Sequence, residues 1–185
     1  DRGLMIDDKN PTLLQMKADI FTINNEFKPA KLMYLKAIEN SDDPGPIKIK
    51  LLNIYIELGE NKLAIDFADG LLDQYPNEPD IYYNVGIVYQ RLATEIYDDN
   101  LNAFNNTNKE SDPAKILNLY KSYKLAHGYF YNAKDYFLQA NDLELDENIS
   151  TRKAASEMRK FMDLIDNTFL PSLRKSAESA NLELE

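Results

Sequence analysis

The chain has 185 residues, of which 31 are acidic and 21 basic, so its net charge is 21 − 31 = −10. Apolar residues make up 44% and charged residues 28%, the balance of a folded chain long enough for one domain or a short repeat array. An acidic surface repels phosphate backbones and anionic lipid, the lack of any cysteine excludes disulfides, thiolate metal sites and thiol nucleophiles, and no apolar run reaches the roughly 18 residues of a membrane span.

In chain order, Gly3 to Pro11 (GLMIDDKNP) reads as the tail of an earlier unit. Residues 1–10 are therefore expected to belong to something preceding, and Asp1 to be the cut end of a fragment. No signal peptide is visible. A first unit, 11–44, places Leu14, Ala18 and Phe21 one helical turn apart, then Ala30, Tyr34 and Ala37 on a second face of the same kind. Asn25-Glu26-Phe27 separates the two, and Pro29 suits the first turn of the second helix. The next unit, 45–78, repeats this with Leu51, Leu52 and Tyr55, then Ala64, Ala68 and Leu71. Between its helices, Gly59 is a natural left-handed cap. The stretch Tyr75-Pro76-Asn77-Glu78-Pro79-Asp80 closes it and starts the third.

Phe21, Tyr55 and Tyr89 are 34 residues apart, as are Ala18, Leu52 and Gly86, and Ala30 and Ala64. Such a period predicts stacked helical hairpins. Small residues let paired helices approach, the neighbouring aromatics fill the space between layers, and no pair buries its apolar face alone.

The third unit, 79–146, opens with Tyr82, Val85, Gly86 and Tyr89, but its second-helix pattern, Ala133, Phe137 and Ala140, arrives 35 residues late. Either a degenerate extra repeat fills the gap or both helices are lengthened. The second is preferred, because Asp98 would take a small-residue position and Asn100 to Asn108 has poor helix propensity. One helix is expected from about Asp80 to about Phe104 and another from about Pro113, capped by Asp112, to about Ala140. A loop is assigned to 98–112, and the pair is expected to project beyond the stack. Leu143-Glu144-Leu145-Asp146 closes the unit. Residues 147–181 read as a looser unit, a degenerate repeat or C-terminal cap: Ala154, Ala155, Met158, Phe161, Met162 and Ile165, then a final helix with Leu170, Pro171, Leu173 and Ala177. Residues 182–185 are a tail.

These residues resemble tetratricopeptide repeats, bacterial type, with an extended third repeat. The match rests on Leu14, Ala18, Phe21, Ala30, Tyr34 and Ala37; on Leu51, Tyr55, Ala64, Ala68 and Pro76; and on Tyr82, Gly86 and Tyr89. Asp42 replaces the closing proline of the first unit, and Lys48 stands where a bulky apolar residue is usual. The resemblance implies an all-α superhelix of about four helical hairpins, the third lengthened, with a C-terminal capping helix. It further implies a non-catalytic binding module or scaffold that takes a protein or peptide partner in a concave groove. Groove residues would be Gln15, Asp19, Thr22, Ile49, Asn53, Ile56, Tyr83, Asn84, Ile87, Gln90 and Arg91. One subclass grips a terminal carboxylate. Of the neighbouring Gln15, Asp19, Lys50, Asp80 and Asn84 only Asn84 fits, and Asp19 and Asp80 would repel the anion, so that reading is rejected. Many such proteins are exported, which points to the periplasm, with the cytoplasm as alternative. A second reading is self-association through the projecting long helices; a third is a small-molecule cleft near His127.

Other chemistry has little support. His127, the one histidine, reads as a packed helix residue, since nothing in the spacing brings a nucleophile and a carboxylate to it. Asp98 to Ala103 has oxygen ligands at alternate positions, as calcium needs, but Ala103 stands where the turn glycine belongs and Lys109 where the bidentate glutamate belongs. No phosphate-binding, nucleophile-elbow or zinc-protease motif is present. No cofactor, metal, nucleic acid or membrane insertion is expected. Tyr120, Tyr123, Tyr129, Tyr131 and Tyr136 share one helix. Tyr129 and Tyr131 cannot share a face, so some of these rings are expected in solvent.

Overall fold

The computed structural model describes residues 8–107, 112–143 and 149–184. Of these, 84% are helical and none lies in a strand. The elements are α1 (Pro11–Ile23), α2 (Phe27–Glu39), α3 (Gly45–Glu57), α4 (Asn61–Gln74), α5 (Pro79–Asn105), α6 (Pro113–Leu143), α7 (Ile149–Leu164), a π-helical turn (Ile165–Phe169) and α8 (Leu170–Ser179). Two compact units divide the chain within α5, at Val85 and Gly86. The readings of 1–7 and of Glu144-Leu145-Asp146 fall outside the described residues.

In the first unit, α1, α3 and α5 begin at residues 11, 45 and 79, and α2 and α4 at 27 and 61, so helix starts recur every 34 residues. The turns recur as well. Asn25 and Gly59 both have positive φ, 60° and 71°. The Glu26 N–H donates back to the Phe21 carbonyl at 2.8 Å, and the Glu60 N–H to the Tyr55 carbonyl at 2.9 Å. A left-handed residue followed by this long reverse bond satisfies the last carbonyls of a helix and turns the chain sharply. At the start of α1, the Asn10 side chain accepts from the Leu13 N–H at 3.1 Å, and Pro11 needs no donor in the first turn.

α1 packs on α2, α2 on α3 and α3 on α4. Ala18, Ala30, Ala64 and Ala68 are all fully buried; their single methyls allow close approach of the backbones. Leu51, Leu52, Ile54 and Ile56 are buried at nearly successive positions, because α3 has helices on both sides. A helix enclosed in this way buries more than one stripe.

In the second unit, α6 packs against α7, the π turn and α8. Its core is a ring cluster. Tyr97 meets Tyr123, Phe130, Phe161 and Phe169 edge-on at 5.4–6.5 Å. Phe104 lies 4.4 Å from Phe169, and Phe130 stacks on Phe161 at 4.7 Å. Edge-to-face geometry suits the ring quadrupoles. Gly86 faces Phe137 so closely that a Cβ would lie 2.7 Å from the ring.

The lengthened helices are present, α5 ending at Asn105 and α6 starting at Pro113 with the Ala114 N–H bonded to Asp112 Oδ1 at 3.0 Å. The loop assigned to 98–112 is shorter than expected: Asp98 to Asn105 continues α5. Weak helix formers there are overridden by the seating of Tyr97 and Phe104 in the ring cluster, worth more than their propensity deficit. Asp98 to Ala103 is therefore helix, not a calcium loop.

The C-terminal segment also differs. The expected separate final helix runs on from α7 through the π turn, in which the Leu170 N–H bonds the Ile165 carbonyl five residues back. Buried Ile165, Phe169, Leu173 and Ala177 follow one another every four residues. That spacing outruns the α-helical 3.6, and a wider turn brings the side chains back into phase. The same turn accommodates Pro171, whose ring would crowd a carbonyl four residues earlier in a regular helix.

Candidate functional site

Asp19 on α1 is the centre of a polar cluster in the first unit. The Tyr34 hydroxyl, from α2, donates to Asp19 Oδ1 at 2.5 Å. Lys50 Nζ, from α3, donates to both Asp19 oxygens at 2.9 Å. Thr22 Oγ1 donates to the Ala18 carbonyl at 2.9 Å and lies 3.4 Å from the Tyr34 hydroxyl. Three consecutive helices are thus tied by one carboxylate. Burial, and then the hydrogen bond to Asp19, push the Tyr34 phenol from 10.0 up to about 12, so it stays a neutral donor.

Above this cluster lies an open depression of about 410 Å³ lined by Asp19, Thr22, Ile23, Tyr34, Lys50 and Asn53. Asn53 is exposed and Ile23 is 79% exposed. Because the Asp19 and Lys50 charges neutralise each other, the surface offers an apolar side chain, an unprotected carboxamide and little net field.

In the second unit a depression of about 440 Å³ is lined by Ile87, Gln90, Arg91, Thr94, Glu95 and Asp98. All six project from one helix, α5, and carry one cation, Arg91, and two anions, Glu95 and Asp98.

Of the residues expected to line a groove, Asp19, Thr22 and Asn53 meet in the first depression and Ile87, Gln90 and Arg91 in the second. Gln15, Ile49, Tyr83 and Asn84 are half-buried and line neither. Ile56 is a correction: it is 1% exposed and belongs to the core of α3, not to an open face. Ile23, Tyr34 and Lys50 were missing from the expected set. Ile23 lies one helical turn beyond Asp19, a spacing that could have found it. Tyr34 reads as packing alone, and Lys50 becomes legible only once α1 and α3 are side by side.

His127 Nε2 lies 3.2 Å from Asp166 Oδ2, within ion-pair distance but off the line that a hydrogen bond requires, and the buried Nε2 atom has no hydrogen-bond partner. Among the described residues no group of three or more His, Asp or Glu is placed to hold a metal ion, and no helix is long and apolar enough to cross a membrane. No protein-family model matches the chain, and no curated protein is similar to it.

Proposed function

We propose that the chain is a tetratricopeptide-type helical array that holds a segment of a partner protein, without catalysis, against the first helices of its hairpins. Two observations support the architecture: helix starts recur every 34 residues, and the Asn25 and Gly59 turns share one backbone geometry. The observation that carries the function is the depression over Asp19. Its charges are internally satisfied, Ile23 offers apolar area, and the free amide of Asn53 can bond both the N–H and the C=O of an extended backbone. Such a surface favours an uncharged stretch of polypeptide over a terminal carboxylate.

The test is capture of partners by the purified chain with a photo-crosslinking residue at the exposed Asn24, beside Ile23, repeated with Asn53→Ala. Loss of the crosslinked partner in Asn53→Ala, with unchanged circular dichroism, supports the reading. Retention of every partner by Asn53→Ala, Ile23→Asp and Tyr83→Ala overturns it.

A further inference from the structure

The face of α6 turned away from its core holds a glycine that packing among the described residues does not require. The buried residues Tyr123, Ala126, Phe130, Ala133 and Phe137 mark the core face of this helix. At about 100° per residue, Gly128 lies about 160° around the helix from Phe130, on the opposite side. A Cβ at Gly128 would meet nothing within 4 Å, whereas one at Gly86 would strike Phe137. Glycine in a helix interior costs about 1 kcal/mol relative to alanine, and at Gly128 no contact among the described residues accounts for it.

The surroundings of Gly128 are those of a helix-crossing point. One turn before it is Leu125 and one turn after it is Tyr131, each 49% exposed. Seven residues before it is Lys121 and seven after it Asp135, both exposed. The pattern is self-complementary when reversed, cation against anion and aliphatic against aromatic. By the same angle the charged groups of this face are Lys121, Lys124, Asp135 and Asp142, two of each sign, in a chain whose net charge is −10. In the reversed pairing no carboxylate of this face opposes another.

We infer that a second copy of the chain docks on this face, the two α6 helices running antiparallel and crossing at Gly128 on a two-fold axis. Leu125 then covers the partner's Tyr131, Lys121 pairs with the partner's Asp135, and both contacts are repeated by symmetry. The missing side chain at Gly128 lets the helix axes approach. The surface belongs to a different helix from the depression over Asp19, so it stands or falls apart from the partner-binding reading.

The chain is cysteine-free, which makes single cysteines direct reporters. In an antiparallel crossing only position 128 opposes itself. Under mild oxidation Gly128→Cys should give a disulfide-linked dimer, while Lys121→Cys and Asp135→Cys stay unlinked alone and link when mixed. Light scattering should show a dimer whose dissociation constant rises about tenfold in Lys121→Glu and which is lost in Gly128→Arg, with circular dichroism unchanged. A monomer at all concentrations, a dimer that persists in Gly128→Arg, or self-linking of Lys121→Cys as readily as Gly128→Cys would overturn the proposal. Asn53→Ala should leave the dimer intact, which separates this result from the test of partner binding.

Discussion

Tyr123 and Tyr34 are both buried phenols, and they should respond oppositely to losing the hydroxyl. Tyr123 is fully buried among rings and its hydroxyl has no partner; burial pushes its phenol well above the ordinary range. An unbonded buried hydroxyl costs about 1–3 kcal/mol, so Tyr123→Phe should hold or raise the urea midpoint. A fall of more than about 1 kcal/mol would show that the hydroxyl is bonded after all. Tyr34 donates to the Asp19 carboxylate, and Tyr34→Phe should cost about 1.5–3 kcal/mol. The pH dependence has a definite sign. Since the folded phenol is raised from 10.0 to about 12, the folded state holds this proton more tightly. The stabilisation is complete below about pH 10 and is lost as pH rises through about 12. Denaturation followed between these values should be shallower in Tyr34→Phe, and an unchanged slope would remove Tyr34 from the titration. At Gly86, where a Cβ would lie 2.7 Å from Phe137, Gly86→Ala should cost about 1–3 kcal/mol through overpacking, read by thermal melting.

At the scale of elements, what was legible in the sequence was local. Asn25, Gly59, Asp112 and Pro113 set their turns and caps through groups within a few residues, so the helix ends near them could be read directly. Three features were not local. Asp98 to Asn105, assigned both to a helix ending near Phe104 and to a loop over 98–112, is helical because Phe104 reaches Phe169 and Tyr123, contacts that lie far along the chain. Ile56 is enclosed by neighbours of α3 that periodicity alone does not reveal. The Asp19, Tyr34 and Lys50 cluster joins residues 15 and 31 positions apart that meet only when hairpins stack. The π turn was hidden for a related reason: its cause is the four-residue spacing from Ile165 to Ala177, which looks like loose amphipathicity until burial is known. Inserting one alanine after Ser172, beyond the π turn, should rotate everything after it by about 100°, carrying Leu173 and Ala177 off the core. A loss of about 2–5 kcal/mol is expected, of the order of emptying a large core position. A variant as stable as the parent would mean that α8 contributes little to packing.

For the whole molecule the dominant long-range term is charge. A chain of net charge −10 repels itself when compact, and added salt shortens the screening length to about 8 Å at physiological ionic strength. The partly exposed pairs Lys31 with Glu60 and Lys50 with Asp19 lose little by screening, since pairs in contact with solvent contribute only about 0–1 kcal/mol each. Thermal stability should therefore rise with sodium chloride up to the physiological range; a fall would mean that attractive pairs outweigh the net repulsion.

The ring cluster around Tyr97 has one more consequence. The chain contains 12 tyrosines and no tryptophan, so its near-ultraviolet optical activity comes chiefly from phenols held in fixed asymmetric surroundings. Tyr97 and Tyr123, locked among Phe104, Phe130, Phe161 and Phe169, give residues 86–184 an intrinsic optical label, which fades when their side chains loosen even while the backbone signal persists.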